Sequence, residues 1–358
     1  MNVLHRVIIG ALLVLCLEAC GESKPLPERD PLTLTRFPQG ATIEQLAADD
    51  EAVYFLAKTS SDSTAEPVSA SLFRASVREP QEHPTFLADA PTTDFVVGST
   101  HLYFFDAGHF VETPDSSRYV QSFWRVPKKG GVKEKLTEVD GQFMMNKSNY
   151  GTLVLAGPYV YWLGGRPDEP ASLYRLKLDG SGTVERVAET RSWAAFNLVA
   201  TATHVYWMEV YRTGSGIENA LVRVPITATS AVPTDVVLWP GREYGARPFM
   251  SSATVVTPDG IFTSVGDEPS YSLVRLPLEP GQDGLTVIDE LPDDSRGLAV
   301  HDGWLYYPSK DGQGIRKRPL DGGAPVKLVP DRTVTGRLAA STAGVFFPGD
   351  EVILRTER

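Results

Sequence analysis

The sequence predicts an all-β fold assembled from seven copies of one antiparallel unit, and three observations predict it. The first is a strand signature in which an aliphatic residue is followed by aromatics: Val53-Tyr54-Phe55, Leu102-Tyr103-Phe104, Val160-Tyr161-Trp162, Val205-Tyr206-Trp207, Ile261-Phe262, Leu305-Tyr306-Tyr307 and Val345-Phe346-Phe347. The second is a partner signature that follows each of these and centres on a base: Leu72-Phe73-Arg74, Phe123-Trp124-Arg125, Leu173-Tyr174-Arg175, Leu221-Val222-Arg223, Leu273-Val274-Arg275, Ile315-Arg316-Lys317 and Ile353-Leu354-Arg355. The third is a mismatch between the ends. The last repeat stops after Val352–Thr356 without a fourth strand, whereas Pro31–Pro38 alternates apolar and polar residues and belongs to no repeat. A period of roughly 40–50 residues built from short strands marks a β-propeller in which each repeat is one blade. The expected fold is a seven-bladed β-propeller of four-stranded antiparallel blades, with the N-terminal strand completing the last blade. A six-bladed ring with one degenerate repeat as a cap is the alternative.

Each element has its own reason. The first strand of each repeat is short and rich in small residues (Thr42–Ala48, Thr93–Gly98, Thr152–Gly157, Asn197–Ala202, Ala253–Thr257, Gly297–His301, Arg337–Ser341), which suits the crowded innermost position. Tight turns such as Pro258-Asp259-Gly260 and His301-Asp302-Gly303 reverse the chain into the aromatic strand. That strand is second, and its rings fill the space between neighbouring blades, where they bury the most area. The third strand carries the base; in Leu173–Leu178 the period is two, with Tyr174, Leu176 and Leu178 on one face. Pro127, Pro225, Pro277 and Pro319 each stand two residues after a base and mark the strand's end, because proline has no N–H for the ladder. The outer strands follow at Lys133–Val139, Thr183–Ala188, Asp235–Trp239, Leu285–Glu290 and Val326–Val329. An unpaired edge invites aggregation, so pairing Pro31–Pro38 onto the last blade closes the ring.

Length and composition set the outer bounds. The chain has 358 residues, 42% of them apolar, which is ample for one large repeat fold. A formal net charge of −11 argues against nucleic acid, whose binding needs a basic surface to release counterions. The N-terminus supplies an address. His5-Arg6 precedes the eleven apolar residues Val7–Leu17, too few to cross a hydrocarbon core of roughly 30 Å as a helix. Leu17-Glu18-Ala19-Cys20 resembles the bacterial lipobox, with Glu18 standing where a small or hydroxyl residue is usual. The resemblance implies cleavage before Cys20, lipidation of Cys20 and, with Gly21 next, an outer-membrane destination facing the periplasm or the cell surface. The two cysteines, Cys16 and Cys20, agree: one leaves with the signal and the other takes the lipid. The expected organisation is a signal peptide over 1–19, a flexible tether over 20–30 and a single propeller domain over 31–358.

Val160-Tyr161-Trp162, Val205-Tyr206-Trp207 and Arg318-Pro319-Leu320-Asp321-Gly322-Gly323 resemble the repeats of bacterial YWTD-like and TolB-like β-propeller lipoproteins, over essentially the whole chain after the tether. The YWTD tetrapeptide itself is absent, since the third aromatic strand continues as Leu163 and the fourth as Met208. The resemblance implies architecture rather than activity, because propellers host scaffolds, receptors and enzymes alike.

Function is expected on one face. The connections between strands 2 and 3 and from strand 4 to the next blade emerge together, and they include the long ones: 58–70, 107–121 and 210–219 in the first set, 140–150, 189–196, 241–250 and 291–296 in the second. The second set contains Tyr150, Arg191, Trp193, Arg242, Tyr244, Arg247 and Arg296, aromatics and arginines of the kind that anchor a partner. The first set adds the carboxylates Asp62, Glu66, Asp106, Glu112, Asp115, Asp168, Glu169, Glu209 and Glu218, irregularly spaced and best read as a solvated acidic rim rather than a Ca²⁺ cage. The third-strand bases read as scaffold, their stems covering blade faces while their heads pair or stay wet. His101 and His204 share one repeat position and read as turn residues. No nucleophile elbow, zinc helix, phosphate loop or dinucleotide fingerprint occurs, so no catalytic residue, metal or cofactor is expected. The sequence therefore points to a monomeric, lipid-anchored envelope propeller that binds a protein, peptide or glycan, with a carbohydrate hydrolase or lyase as the alternative.

Overall fold

Short β-prone runs separated by glycine and proline turns fold here into seven sheets, each built on four strands, with a fifth short strand added in blade 2. The computed structural model describes residues 31–37, 40–59, 69–90, 94–106, 108–112, 117–140, 153–165, 170–192, 194–213, 216–240, 254–267, 270–282, 284–291, 297–334, 337–349 and 352–357. Strand β1 (Leu32–Arg36) comes first. Blade 1 is β2 (Ala41–Ala48), β3 (Ala52–Thr59), β4 (Ser69–Ser76) and β5 (Thr85–Asp89). Blade 2 is β6 (Phe95–Val97), β7 (His101–Phe105), β8 (His109–Glu112), β9 (Ser117–Pro127) and β10 (Glu134–Asp140). Blade 3 is β11 (Leu153–Ala156), β12 (Tyr159–Gly164), β13 (Ser172–Lys177) and β14 (Val184–Glu189); blade 4 is β15 (Ala194–Ala200), β16 (His204–Thr213), β17 (Gly216–Pro225) and β18 (Thr234–Pro240). Blade 5 is β19 (Thr254–Thr257), β20 (Gly260–Asp267), β21 (Ser270–Leu276) and β22 (Thr286–Leu291). Blade 6 is β23 (Ala299–His301), β24 (Trp304–Pro308), β25 (Gln313–Pro319) and β26 (Val326–Thr333). Blade 7 is β27 (Ala339–Ser341), β28 (Gly344–Gly349) and β29 (Val352–Thr356), with β1 on its outer edge.

The fold is thus a seven-bladed propeller, and the ring closes as expected: Leu32 pairs with Arg355 and Arg36 with Val352, antiparallel. The first strands of successive blades touch one another all the way round, from β2 through to β27 and back to β2. Small residues occupy them because seven backbones converge there. Blade 1 also has its outer strand, β5, which the outer strands assigned from the sequence did not include.

The core is divided as the blades are. Each of the seven interfaces between adjacent blades holds its own cluster of buried side chains. Between blades 3 and 4, Tyr161 and Leu163 meet Val205, Trp207 and Val222; between blades 7 and 1, Leu34, Phe37 and Phe346 meet Val53 and Phe55. Each fully buried aromatic or large aliphatic is worth roughly 1.5–3 kcal/mol, so every interface contributes to holding its two blades together.

Three of the third-strand bases, Arg175, Arg223 and Arg355, have paired heads, in keeping with the scaffold role read from the sequence. In blade 3, Arg175 Nη1 and the Tyr161 hydroxyl both donate to the carbonyl of Ile226, at 2.9 and 2.8 Å. In blade 4, Arg223 Nη1 donates to Leu278 O at 2.8 Å, and Arg355 of blade 7 donates to Val77 O. Ile226, Leu278 and Val77 lie at one place, just past the third strand of the following blade. The same side chains are neutralised by neighbours, as in Arg175–Glu185 at 2.6 Å and Arg223–Glu279 at 2.7 Å. One base therefore clamps each of these blades to the next.

Outer edges are covered in the same way. Gln81 N–H donates to Leu34 O at 2.8 Å, so blade 1's own turn shields the free side of β1. Ala231 N–H of blade 4 does this for Val187 of β14 at 2.8 Å. Unsatisfied strand edges would otherwise recruit other chains. Gly260 and Gly344 open their second strands at φ +151° and +147°, and a Cβ there would lie 2.7 and 2.5 Å from the carbonyls of Leu276 and Thr356. Those turns need glycine.

Candidate functional site

The two ends of the ring differ. On the short-turn side, strands 1 and 2 are joined by turns of two or three residues, such as Thr342-Ala343. On the opposite side two hairpins continue beyond their blades. In blade 2, the segment expected as the loop 107–121 instead contains β8, paired residue for residue with the start of β9: His109 with Val120, Phe110 with Tyr119, Glu112 with Ser117. In blade 4, the expected loop 210–219 is likewise strand, with Val210 opposite Asn219 and Thr213 opposite Gly216. Both segments alternate and carry β-branched and aromatic residues, so pairing satisfies backbone groups that a loop would leave to water.

Asp106 fixes the base of the blade 2 hairpin. Its carboxylate accepts from Gly108 N (3.0 Å), Ser122 N (2.9 Å) and Trp124 Nε1 (3.1 Å). Gly108 sits at φ +72°, where a Cβ would run into Gln121 Cγ at 2.5 Å. On the hairpin, Phe110 is 62% exposed and rests edge-on against Tyr119, ring centroids 5.0 Å apart. The loop reading missed this exposed aromatic, which a paired strand places on the hairpin. Blade 6 offers a contrast, turning from β24 to β25 through Ser309–Gly312 with Ser309 N–H bonded to Gly314 O at 3.0 Å.

Arg191 is the one residue of the proposed ligand patch among those described. It follows β14 and leads into blade 4, where the buried side of the blade presents Glu209, 0% exposed. Glu209 accepts from Trp207 Nε1 at 2.9 Å, from Arg191 N at 3.3 Å and from Arg191 Nε at 3.1 Å. The other end of the guanidinium forks onto Asp235, at 3.0 and 2.5 Å. Those hydrogen bonds to Asp235, with the Glu209 charge behind them, raise the Arg191 pKa further above its ordinary range. Tyr150, Trp193, Arg242, Tyr244, Arg247 and Arg296 lie outside the described residues, as does Cys20. Two members of the expected acidic rim are corrected: Asp106 and Glu209 point inward as hydrogen-bond acceptors, not outward to solvent. Among the described residues no group of three or more His, Cys, Asp and Glu is placed to share a metal ion.

Other perturbed groups lie where blades meet. Burial, then the adjacent Asp49 carboxylate, pushes the Tyr54 phenol up; Tyr54 donates to Asp49 at 3.2 Å, and Lys128 of blade 2 pairs with the same carboxylate. Tyr307 is pushed up by burial and by its 2.7 Å bond to Asp289, which also receives Arg316 at 3.1 Å. His101 and His204 hold the turn position read from the sequence. Their Nδ1 atoms meet the hydroxyls of Thr100 and Thr203 at 2.8 and 2.9 Å, and their rings lie 6.2 and 6.0 Å from Tyr103 and Tyr206.

For both histidines burial, with the Arg125 or Arg223 charge behind it, holds the pKa below its ordinary value. The unfolded chain then binds more protons than the folded one just below pH 6.5, so stability is full above that pH and falls as pH drops through it. Asp49 and Asp50 are shifted down, and their contributions are lost only at much lower pH. We expect the melting temperature to fall between about pH 7 and about pH 5, and to fall less when His101→Asn and His204→Asn are combined. An identical slope in wild type and double variant would exclude these two residues as the cause.

No family model and no curated protein matches the chain. Among solved structures, a puromycin-hydrolysing peptidase of Mycobacterium tuberculosis is similar over 89% of this chain and 53% of its own, with a TM-score of 0.54 and 14% identity. A puromycin hydrolase is similar over 87% and 53%, with a TM-score of 0.53 and 15% identity. The β-propeller domain of the trilobed protease from Pyrococcus furiosus aligns over 82% of this chain and 97% of its own, at a TM-score of 0.45 and 10% identity. The chain spans about half the length of the first two proteins, and the likeness at these identities is one of fold.

Proposed function

We propose that this chain is a lipid-anchored cell-envelope propeller that holds a protein, peptide or glycan on its long-loop face and does no chemistry of its own. The observation that carries the reading is the pair of hairpins on blades 2 and 4. They extend the long-loop side on both flanks of blade 3, and one of them presents the exposed Phe110. The ionisable groups with displaced pKa values named above are engaged in contacts within and between blades, an arrangement suited to a rigid support. Rigid scaffolds carrying exposed aromatics are the usual basis of partner recognition. Cys20 attaches the protein to the outer membrane, and the propeller acts as a monomer.

The test is capture from envelope extracts by the lipid-free body and by its Tyr150→Ala and Trp193→Ala forms. A hot-spot ring contributes about 2 kcal/mol or more, so each truncation is expected to weaken capture about thirtyfold while melting stays near wild type. Unfolding of both variants, or undiminished capture by both, removes these rings from the binding patch.

A further inference from the structure

We infer that the free edge of β8 is a docking edge for an extended segment of a partner protein, which adds to the blade 2 hairpin as a further strand. The inference rests on the binding role proposed above for the long-loop face, and it narrows the occupant to polypeptide. Register fixes where the backbone groups of β8 point. Asp106 N–H donates to Ser122 O at 3.0 Å, so residue 122 of β9 turns its N–H and C=O toward the β7 side, and alternation turns those of 120 and 118 the same way. β10 pairs with the opposite side of β9, which leaves β8 on the side of β7. His109 and Val111, opposite Val120 and Arg118, therefore direct their backbone groups at β9. Phe110 and Glu112, opposite Tyr119 and Ser117, direct theirs away from it. The 5.0 Å approach of the Phe110 and Tyr119 rings fits a pair of the closer, non-hydrogen-bonded kind.

Those outward groups are open. Among the described residues, neither Phe110 nor Glu112 makes a hydrogen bond beyond the β8–β9 ladder, and both side chains are exposed. Outer strands elsewhere receive hydrogen bonds from the next blade round the ring. Gln81 and Ala231 serve β1 and β14 as described, Lys133 Nζ donates to Asp89 O of β5 at 3.1 Å, and Arg318 Nη1 donates to Ile288 O of β22 at 2.8 Å. β8 also lacks the lysine and proline that blunt an exposed edge. Alternate residues offering N–H and C=O at strand spacing are matched by another extended backbone, and a sugar ring has no such repeat. The flanking side chains set the sequence of the incoming strand. Its residue opposite Phe110 packs on an exposed ring, which suits an aromatic or β-branched side chain. Its residue two places along meets the Glu112 carboxylate, so charge complementarity calls for Lys or Arg there.

Proline separates this edge from the rest of the face. The lipid-free body, residues 21–358, is coupled to resin through Ala324→Cys, an exposed position on the short-turn side, and offered a phage-displayed library of short random peptides. Retained peptides are then titrated against two forms of one position. Glu112→Pro deletes an outward N–H and leaves the β8–β9 bonds in place, whereas Glu112→Ala deletes the carboxylate and keeps the N–H. Retained peptides are expected to alternate apolar and basic residues. They are expected to weaken about tenfold or more on Glu112→Pro and about two- to threefold on Glu112→Ala. N-methylation of a retained peptide at every second amide is expected to abolish binding in one register and to spare it in the other. The melting temperature of Glu112→Pro is expected to stay near wild type; a marked drop would show that this N–H is already used inside the fold, and would overturn the inference. Peptides that bind Glu112→Pro as tightly as Glu112→Ala, or that tolerate methylation at every amide, also overturn it. If Trp193→Ala still weakens those peptides, the long-loop face stands as the binding face. A library that yields no retained peptide overturns the strand pairing and leaves the face to a glycan.

Discussion

Deleting residues 31–38 while keeping the tether is expected to lower the melting temperature sharply and to drive aggregation. β1 supplies blade 7's outer strand and buries Leu34, while Phe37 just beyond it is buried against blade 1; both belong to the cluster between blades 7 and 1. Two such side chains are worth roughly 1.5–3 kcal/mol each, against a typical folding margin of roughly 5–15 kcal/mol. The deletion also strips the pairing partners from Val352–Arg355 and the acceptor from Gln81 N–H, leaving a bare edge. Leu34→Ala alone is expected to cost about 2–5 kcal/mol. Leu32, although apolar, is 44% exposed, so Leu32→Ala is expected to fall within about 0.5 kcal/mol of wild type. Calorimetry on the three variants checks the order. Unchanged melting of the deleted protein would mean that the ring is closed by something other than β1.

Arg191→Ala is expected to have the next largest effect, although the sequence presents Arg191 as a surface contact residue. Its truncation leaves Glu209 buried with only the Trp207 and backbone N–H groups as donors. Removing one partner of a buried pair costs about 3–5 kcal/mol. The Arg191 side chain is 39% exposed and partly reached by water, so the lower end, about 3 kcal/mol or less, applies here. Asp235→Ala, which breaks only the outer half, is expected to cost under about 1 kcal/mol. Arg191→Ala combined with Glu209→Leu should recover part of the loss, because it removes the stranded carboxylate along with its partner. Denaturant melts of the single and double variants decide it: a stable Arg191→Ala protein would show that Glu209 does not need the guanidinium. Loss of partner capture by Arg191→Ala therefore says little about recognition unless stability is measured beside it.

The architecture was legible because it is written seven times. Any one of Val53-Tyr54-Phe55 or Leu173-Tyr174-Arg175 is an ordinary strand signal, but seven in register admit few folds. Ring closure was legible for a related reason: a repeat lacking a strand and a strand lacking a repeat stand at opposite ends of one chain. The hairpins on the long-loop face were misread although their signals are present. Thr113-Pro114-Asp115-Ser116 and Gly214-Ser215 are turn sequences between β-prone runs, and the blade boundary drawn at the aromatic triplets assigned those runs to loops. The inward turn of Asp106 and Glu209 was not legible at all. A carboxylate in a polar segment has the same local sequence whether it faces water or a buried Trp N–H, and only the packing of Trp124 and Trp207 distinguishes the two.

Whether the long-loop face is the binding face can be asked by immobilising the lipid-free body, residues 21–358, on resin through a single introduced cysteine and offering it envelope extract. Coupled through Ala324→Cys the short-turn face meets the resin and the hairpins stay free; coupled through Glu112→Cys the blade 2 hairpin is occluded. A partner retained by the first resin and lost from the second is the expected result. Retention on both alike, or only on the second, would place binding on the opposite face and contradict the proposed function.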